Sequence, residues 1–243
     1  MKLPMLCTKC AHEQTKEWKG FSFVEIRDDG RYEFTCENGH KTITILQQQK
    51  FEILFDLGAY AILDGYYREA VSSFTSSLER FYEFYIKVIA TKNGIDESTF
   101  LSSWKHVSKQ SERQLGAFIL LYMVAHGSTP PLLSNSNVEF RNDVIHRGKL
   151  PSKTEALSYG NDVLNVIRPI LRILRKNYKE SAMKVVAQYL SECRSKYEND
   201  QSVSTMGVKT ILSLSFEPEA DEDDIALEDT MPYLMMMKLQ QKL

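Results

Sequence analysis

Long apolar runs are missing from this sequence. Nowhere do about 18 uncharged apolar residues follow one another, so no transmembrane helix is expected. The opening Met1-Lys2-Leu3-Pro4-Met5-Leu6-Cys7 lacks the apolar core of a signal peptide, which makes a cytoplasmic location the default expectation. Cysteine is scarce too: Cys7, Cys10, Cys36 and Cys193 are all there are. Three of them crowd near the N-terminus, a spacing that suggests metal before disulfide in a cytosolic chain. Net charge is almost absent at -2, but it hides a segregation, because eight acidic and no basic residues lie between Glu217 and Asp229. Taking those eight away leaves the remainder at +6, which favours an anionic ligand without by itself establishing nucleic-acid binding. What is present in ordinary amounts, 43% hydrophobic and 26% charged residues over 243 positions, suits one large globular domain or a medium one with a small module.

The small module comes first. Cys7-Thr8-Lys9-Cys10 is a C-x2-C pair and Cys36-Glu37-Asn38-Gly39-His40 a C-x3-H pair. Tetrahedral zinc takes four sulfur and nitrogen ligands, and two short turns can each supply two of them. Gly39 suits a turn that needs a positive φ. Residues 21–27 read as a strand, Asp28-Asp29-Gly30 as its turn, residues 31–35 as the return strand and residues 41–46 as a third. Two knuckles joined by a hairpin resemble a zinc ribbon over residues 1–46, with Cys7, Cys10, Cys36 and His40 as ligands of a structural zinc ion. His12 is the competing fourth ligand. A catalytic zinc is disfavoured, since Glu13 and Glu37 are ordinary surface carboxylates rather than a placed base. The ribbon's cations, among them Lys9, Lys16, Lys19 and Arg31, are balanced by nearby acids, so its contacts are not readable.

From residue 47 to 199 the period turns helical, and the fold class is mainly α: a helical bundle behind a small β module, with a short strand, acidic segment and helix from 200 to 243. Phe51, Leu54, Phe55, Leu57 and Ala61 mark one helix ending near Asp64-Gly65. A longer one carries Ala70, Phe74, Leu78, Phe81, Tyr85 and Val88 and stops at Asn93-Gly94. A short helix begins after Asp96, and another covers residues 111–126 with Leu115, Phe118, Ile119, Tyr122 and Met123 on its apolar face. Ser152 caps a long helix in which Pro169 predicts a kink or a one-turn break. The last helix of the body, residues 179–197, is expected to bury Met183, Val186, Leu190 and Cys193. The stripe Phe74, Phe81, Phe84 and Tyr85 reads as core rather than as a platform for bases. Glu79 stands among apolar neighbours and would need Arg80 or Arg141 as a partner if buried. His106 and His126 have no comparable setting.

Chemistry concentrates in Phe140-Arg141-Asn142-Asp143-Val144-Ile145-His146-Arg147-Gly148. Phe140, Val144 and Ile145 are apolar anchors, and Gly148 with Pro151 closes a helix. An arginine offers a planar, always charged fork to a phosphate, and a histidine moves protons near neutral pH. On a helix Arg141 and His146 are about 140° apart and Asn142 and His146 about 40° apart. Arg141 must therefore curl toward His146 if the two are to act together within one helix.

An R-x4-H motif on a late helix of a bundle, with a polar residue directly after the arginine and the long helix Ser77-Leu-Glu-Arg-Phe-Tyr-Glu-Phe before it, resembles the HEPN superfamily. The resemblance implies a metal-independent endoribonuclease, active as a homodimer whose motif helices face one another. Arg141, Asn142 and His146 would then be catalytic, Arg147 and Lys149 would track the substrate, and Glu79 would support the site. It also implies RNA as substrate, a role as toxin or antiphage effector, and an antitoxin or defence-complex partner. Other members serve as non-catalytic binding modules, which is the alternative expectation. A third is a nucleic-acid-binding regulator built on the ribbon. In the tail, residues 207–216 read as a strand and residues 231–239 as a short amphipathic helix. The acidic run between them reads as a solvated linker, or more sharply as an RNA mimic in the basic cleft.

Overall fold

A computed structural model describes residues 1–13, 21–198, 202–215 and 225–240. Lys16, Glu17, Lys19, Phe216 and the acidic residues 217–224 lie outside that range, and with them most of the run read as a linker or mimic. The chain is mainly helical, at 62% helix among the described residues, with a small N-terminal sheet. Among the described residues no helix is long and apolar enough to cross a membrane. Two compact units emerge: Met1–Gln48 with Val186–Lys209 and Met236–Leu243, and Gln49–Val185 with Thr210–Met235.

In the first unit, β1 (Lys2–Met5) pairs antiparallel with β2 (Ser22–Glu25), placing Leu3 opposite Val24. Helix α1 (Thr8–Glu13) follows Cys7 directly. β3 (Arg31–Thr35) and β4 (Lys41–Leu46) form an antiparallel pair, and β5 (Val203–Met206) adds to β4 in parallel. The expected hairpin between residues 21–27 and 31–35 is therefore not a ladder, because β2 and β3 belong to different sheets. The reason is β1: Leu3 and Met5, both fully buried, give β2 another partner. Pro4 is tolerated there because a two-stranded sheet consists of edges only. Cys193, on the late helix, is buried with its Sγ 3.7 Å from the Asp29 carbonyl oxygen, in keeping with a core thiol.

The second unit holds α2 (Lys50–Leu63), α3 (Tyr67–Lys92), α4 (Glu97–Trp104), α5 (Ser111–His126), α6 (Asn135–His146) and α7 (Lys153–Asn177). The division between units falls inside both α8 (Lys179–Arg194) and α9 (Leu227–Gln240). Local signals set the helix ends. The Asp96 carboxylate accepts from the Thr99 N–H, Ser152 and Glu155 form a capping box, and Gly127 ends α5 at φ 66°. α3 is the hub, packing on α2, α5, α6 and α7. Its stripe is core: Phe74, Phe81 and Tyr85 are fully buried, with Phe55 and Phe74 at 4.7 Å and Phe51 and Phe81 at 5.2 Å between ring centres. Three details differ from expectation. α7 runs through Pro169 without a one-turn break. α5 buries only Gln114, Phe118 and Tyr122, and Met123 is 49% exposed, as are Leu120 and Val124 to larger degrees. α8 buries Ala182 and Val185, whereas Met183 points out.

Close approach at Phe74 gives a stability prediction. A Cβ on Gly58 would stand 2.5 Å from the Phe74 ring, and one on Gly160 2.9 Å from the same ring. Alanine gains about 1 kcal/mol in helix propensity over glycine, but overpacking a rigid buried ring costs about 1–3 kcal/mol. Gly58→Ala is expected to lower the urea midpoint, and a rise would mean that Phe74 moves aside freely.

Candidate functional site

Two groups of side chains stand out, one in each unit. In the first, Cys7, Cys10 and Cys36 are buried and half-buried His40 joins them, with ligand atoms all within 4.8 Å of one another. Cys10 Sγ is 3.7 Å from Cys36 Sγ and 3.2 Å from His40 Nδ1, and Cys7 Sγ is 3.7 Å from that nitrogen. Ligands at about 2.0–2.3 Å from a tetrahedral zinc lie roughly 3.5–3.8 Å from one another, so the cluster is close enough to hold a metal ion and its donor set suits zinc. Backbone turns build it. The Gly39 N–H donates to the Cys36 carbonyl at 2.8 Å and the Cys36 N–H to the His40 carbonyl at 3.0 Å, while Gly39 itself takes φ 80°. The Thr42 hydroxyl and the Asn38 amide donate to Cys7 and Cys10, respectively, which is how surrounding dipoles favour thiolates. Burial alone would raise the Cys7 thiol, but hydrogen bonds from Thr42, the Cys10 backbone and His40 bring it to about 6. His12 is exposed at the end of α1 and outside the cluster, so the fourth ligand position falls to His40.

In the second unit the motif occupies α6. Ser134 caps it by accepting from the Asn137 N–H, and Gly148 ends it at φ 76°. Val144 is fully buried, and Phe140 packs 5.6 Å from the Tyr159 ring of α7. Arg141 and Asn142 are half-buried, whereas His146 is exposed at the last helical position. The two candidates for substrate tracking have local partners: Arg147 meets Asp143 at 2.8 Å, and Lys149 meets Glu155 at 2.8 Å while lying 4.7 Å over the Phe140 ring. Exposed pairs of this kind contribute only about 0–1 kcal/mol, so they do not lock either cation.

Arg141 is different. Its Nε is buried and has no hydrogen-bond partner among the described residues. Burial holds the protons on the phenols of Tyr82 (α3) and Tyr159 (α7); Glu79 reinforces this and Arg141 opposes it at both. Glu79, Tyr82, Arg141 and Tyr159 thus share one neighbourhood, and the Tyr159 hydroxyl is fixed 2.9 Å from Thr75. Glu79 forms no ion pair with Arg80, which instead meets Glu83 and, at 3.0 Å, Gln114. Tyr82 and Tyr159 escaped sequence reasoning because aromatics at helical spacing look like plain core. His126 is structural: its Nε2 is 2.9 Å from the Tyr85 hydroxyl, and its ring lies against Tyr122 and Tyr178.

Chemically, the second group offers a guanidinium whose Nε has no partner among the described residues, and an exposed imidazole five residues further along the helix. Comparison with protein-family models, with curated proteins and with solved structures finds no match to this chain.

Proposed function

We propose that this chain is a metal-independent endoribonuclease of HEPN type. A homodimer would bring two copies of α6 together, and a structural zinc ion would sit in the Cys3His cluster as in a zinc ribbon. One observation carries the reading. The Arg141 Nε is buried with no hydrogen-bond partner among the described residues, and an unsatisfied buried donor of this kind calls for a partner such as a bound anion or a water. A phosphate is the natural complement of a guanidinium held this way. RNA supplies its own nucleophile, so histidine and arginine suffice for the step. One His146 takes the proton of the 2′-OH as its oxygen bonds to phosphorus. The bond to the 5′ oxygen breaks, and the partner copy's His146 protonates that leaving group. Arg141 stabilises the added charge on the phosphorane, and the products are a 2′,3′-cyclic phosphate and a 5′-hydroxyl. Two histidines allow separate base and acid roles, and exposed Leu120, Met123, Val124 and Leu150 supply apolar surface for association. A place in toxin or antiphage defence, with an antitoxin or complex partner, goes with this reading.

The test is cleavage of a labelled RNA in EDTA, at a chelator level that leaves the circular dichroism unchanged. His146→Ala and Arg141→Ala are each expected to lower cleavage by about 10²–10⁴-fold with oligomeric state and unfolding midpoint retained. Equal cleavage by both variants and the unaltered protein would refute the assignment. RNA that is bound but not cut by the unaltered protein would instead indicate a non-catalytic binding module.

A further inference from the structure

One turn before Arg141 on the same helix, a hollow opens that the catalytic reading does not use. It has a volume of about 280 Å³ and lies between the start of α6 and α7. Pro131, Leu132 and Val166 make its apolar wall, and Asn137, Asp162 and Asn165 its polar rim. None of those three polar side chains has a hydrogen-bond or ion-pair partner among the described residues, although the neighbouring Asn161 is fully engaged with Leu227 and Glu228. Asn137 and Arg141 stand four residues apart, hence one above the other on α6. On α7, Asp162 follows Tyr159 by three residues, and its charge and that of Arg141 bear on the Tyr159 phenol in opposite directions.

We infer that this hollow is a nucleobase pocket and that it selects guanine; the inference rests on the ribonuclease reading above. Size and chemistry converge on this occupant. Small-ligand pockets begin at roughly 300 Å³, so a hollow of this volume takes one base and little more. Single-stranded RNA is read by placing a splayed base face on an apolar or aromatic surface and hydrogen-bonding its Watson–Crick edge. A carboxylate is acceptor-only and offers two oxygens side by side. Among the four bases only guanine presents two adjacent donors on that edge, N1–H and N2–H, and its O6 then accepts from an amide of Asn137 or Asn165. Adenine, cytosine and uracil each set an acceptor against one carboxylate oxygen, a repulsive contact that discriminates as strongly as the attractive one. A base seated here leaves its flanking phosphate on the side of Arg141, so base choice and the site of cleavage are coupled through one helix.

Two measurements test this and separate it from the parent reading. Binding of guanosine, adenosine, cytidine and uridine 5′-monophosphates is followed by calorimetry. Cleavage of RNAs that differ at one base beside a single susceptible bond gives the ratio of kcat/KM for guanine over adenine. Asp162→Asn is expected to weaken guanosine monophosphate binding about tenfold and to lower that ratio about tenfold, the size of one well-formed bidentate base contact. Asn165→Ala, at an exposed position, provides a second variant with the same expected direction should the first fold poorly. Equal binding of all four nucleotides, or an unaltered guanine preference in both variants, overturns the pocket while leaving the nuclease intact. Guanine-selective binding by a protein that cuts no RNA overturns the nuclease reading and keeps the pocket as a nucleotide site.

Discussion

Serine in place of Cys36 is expected to abolish uptake of one zinc ion per chain and to destabilise the first unit by roughly 5 kcal/mol or more, since structural zinc supplies about 10–16 kcal/mol in isolated finger peptides. The figure falls below that range because this unit has apolar support of its own. Leu3, Met5, Tyr32, Ile45 and Leu46 are all buried in it. The loss is concentrated where the ligands are the organising contacts, in the Cys36–His40 turn and the start of α1, and not in the strand pairs. Elemental analysis of the purified protein reports the stoichiometry, and hydrogen exchange reports which amides lose protection. His12→Ala serves as the matched control, because His12 is exposed and outside the cluster. Undiminished zinc in Cys36→Ser, or equal loss in His12→Ala, would refute the ligand set.

Those candidate ligands were legible because a metal knuckle is a local object: spacing puts Cys7 with Cys10 and Cys36 with His40 on one turn each, whereas the choice of His40 over His12 comes from the fold. Helix ends were legible for the same reason. Asn93-Gly94, Gly127, Ser152 and Gly148 each act within a few residues, and each stands at the boundary it signals. What escaped depends on partners far away in the chain. β1 is four residues long and contains a proline, and only its pairing with β2 makes it a strand. Residues 207–216 have the alternation of a strand, yet the strand is β5, just before them. Met123 and Met183 fit the apolar phase of α5 and α8 but are half exposed, because the neighbouring elements cover only part of each helix. At the candidate active site the sequence supplied Arg141 and His146, while the facing residues Tyr82 and Tyr159 come from two other helices. Hydrophobic pattern cannot say which core aromatics share the neighbourhood of a particular arginine.

The failed strand exposes the second large effect. Its backbone N–H groups turn to a pair of carboxyls on α2 instead of to a neighbouring strand. The Ile211 N–H donates to Asp56 at 3.0 Å and the Leu214 N–H to Glu52 at 3.0 Å, while Glu52 also accepts from the Gln49 N–H at 2.7 Å. Glu52 is 2% exposed and Asp56 3%. Burial outweighs these hydrogen bonds and pushes Glu52 up to about 7 and Asp56 up to about 8, with the Glu52 charge adding to the rise at Asp56. In the unfolded chain both titrate near about 4. Between that value and about 8 the folded protein retains protons that the unfolded chain has already released, so stability is greatest on the acid side and falls as pH rises through the window. Each unit of displacement corresponds to about 1.4 kcal/mol, which makes the loss between about pH 5 and about pH 9 several kcal/mol. Asp56→Asn retains an acceptor for Ile211 and removes one ionisation, so urea unfolding across that range should show a much flatter pH dependence. The same titration should appear as faster exchange of the Ile211 and Leu214 amides at high pH, beyond the chemical rate, because ionising two like charges one turn apart loosens the segment they hold. If stability instead rose with pH in this window, the carboxyls would have to be ionised and paired with a cation, and the docking of residues 210–214 would need a different explanation.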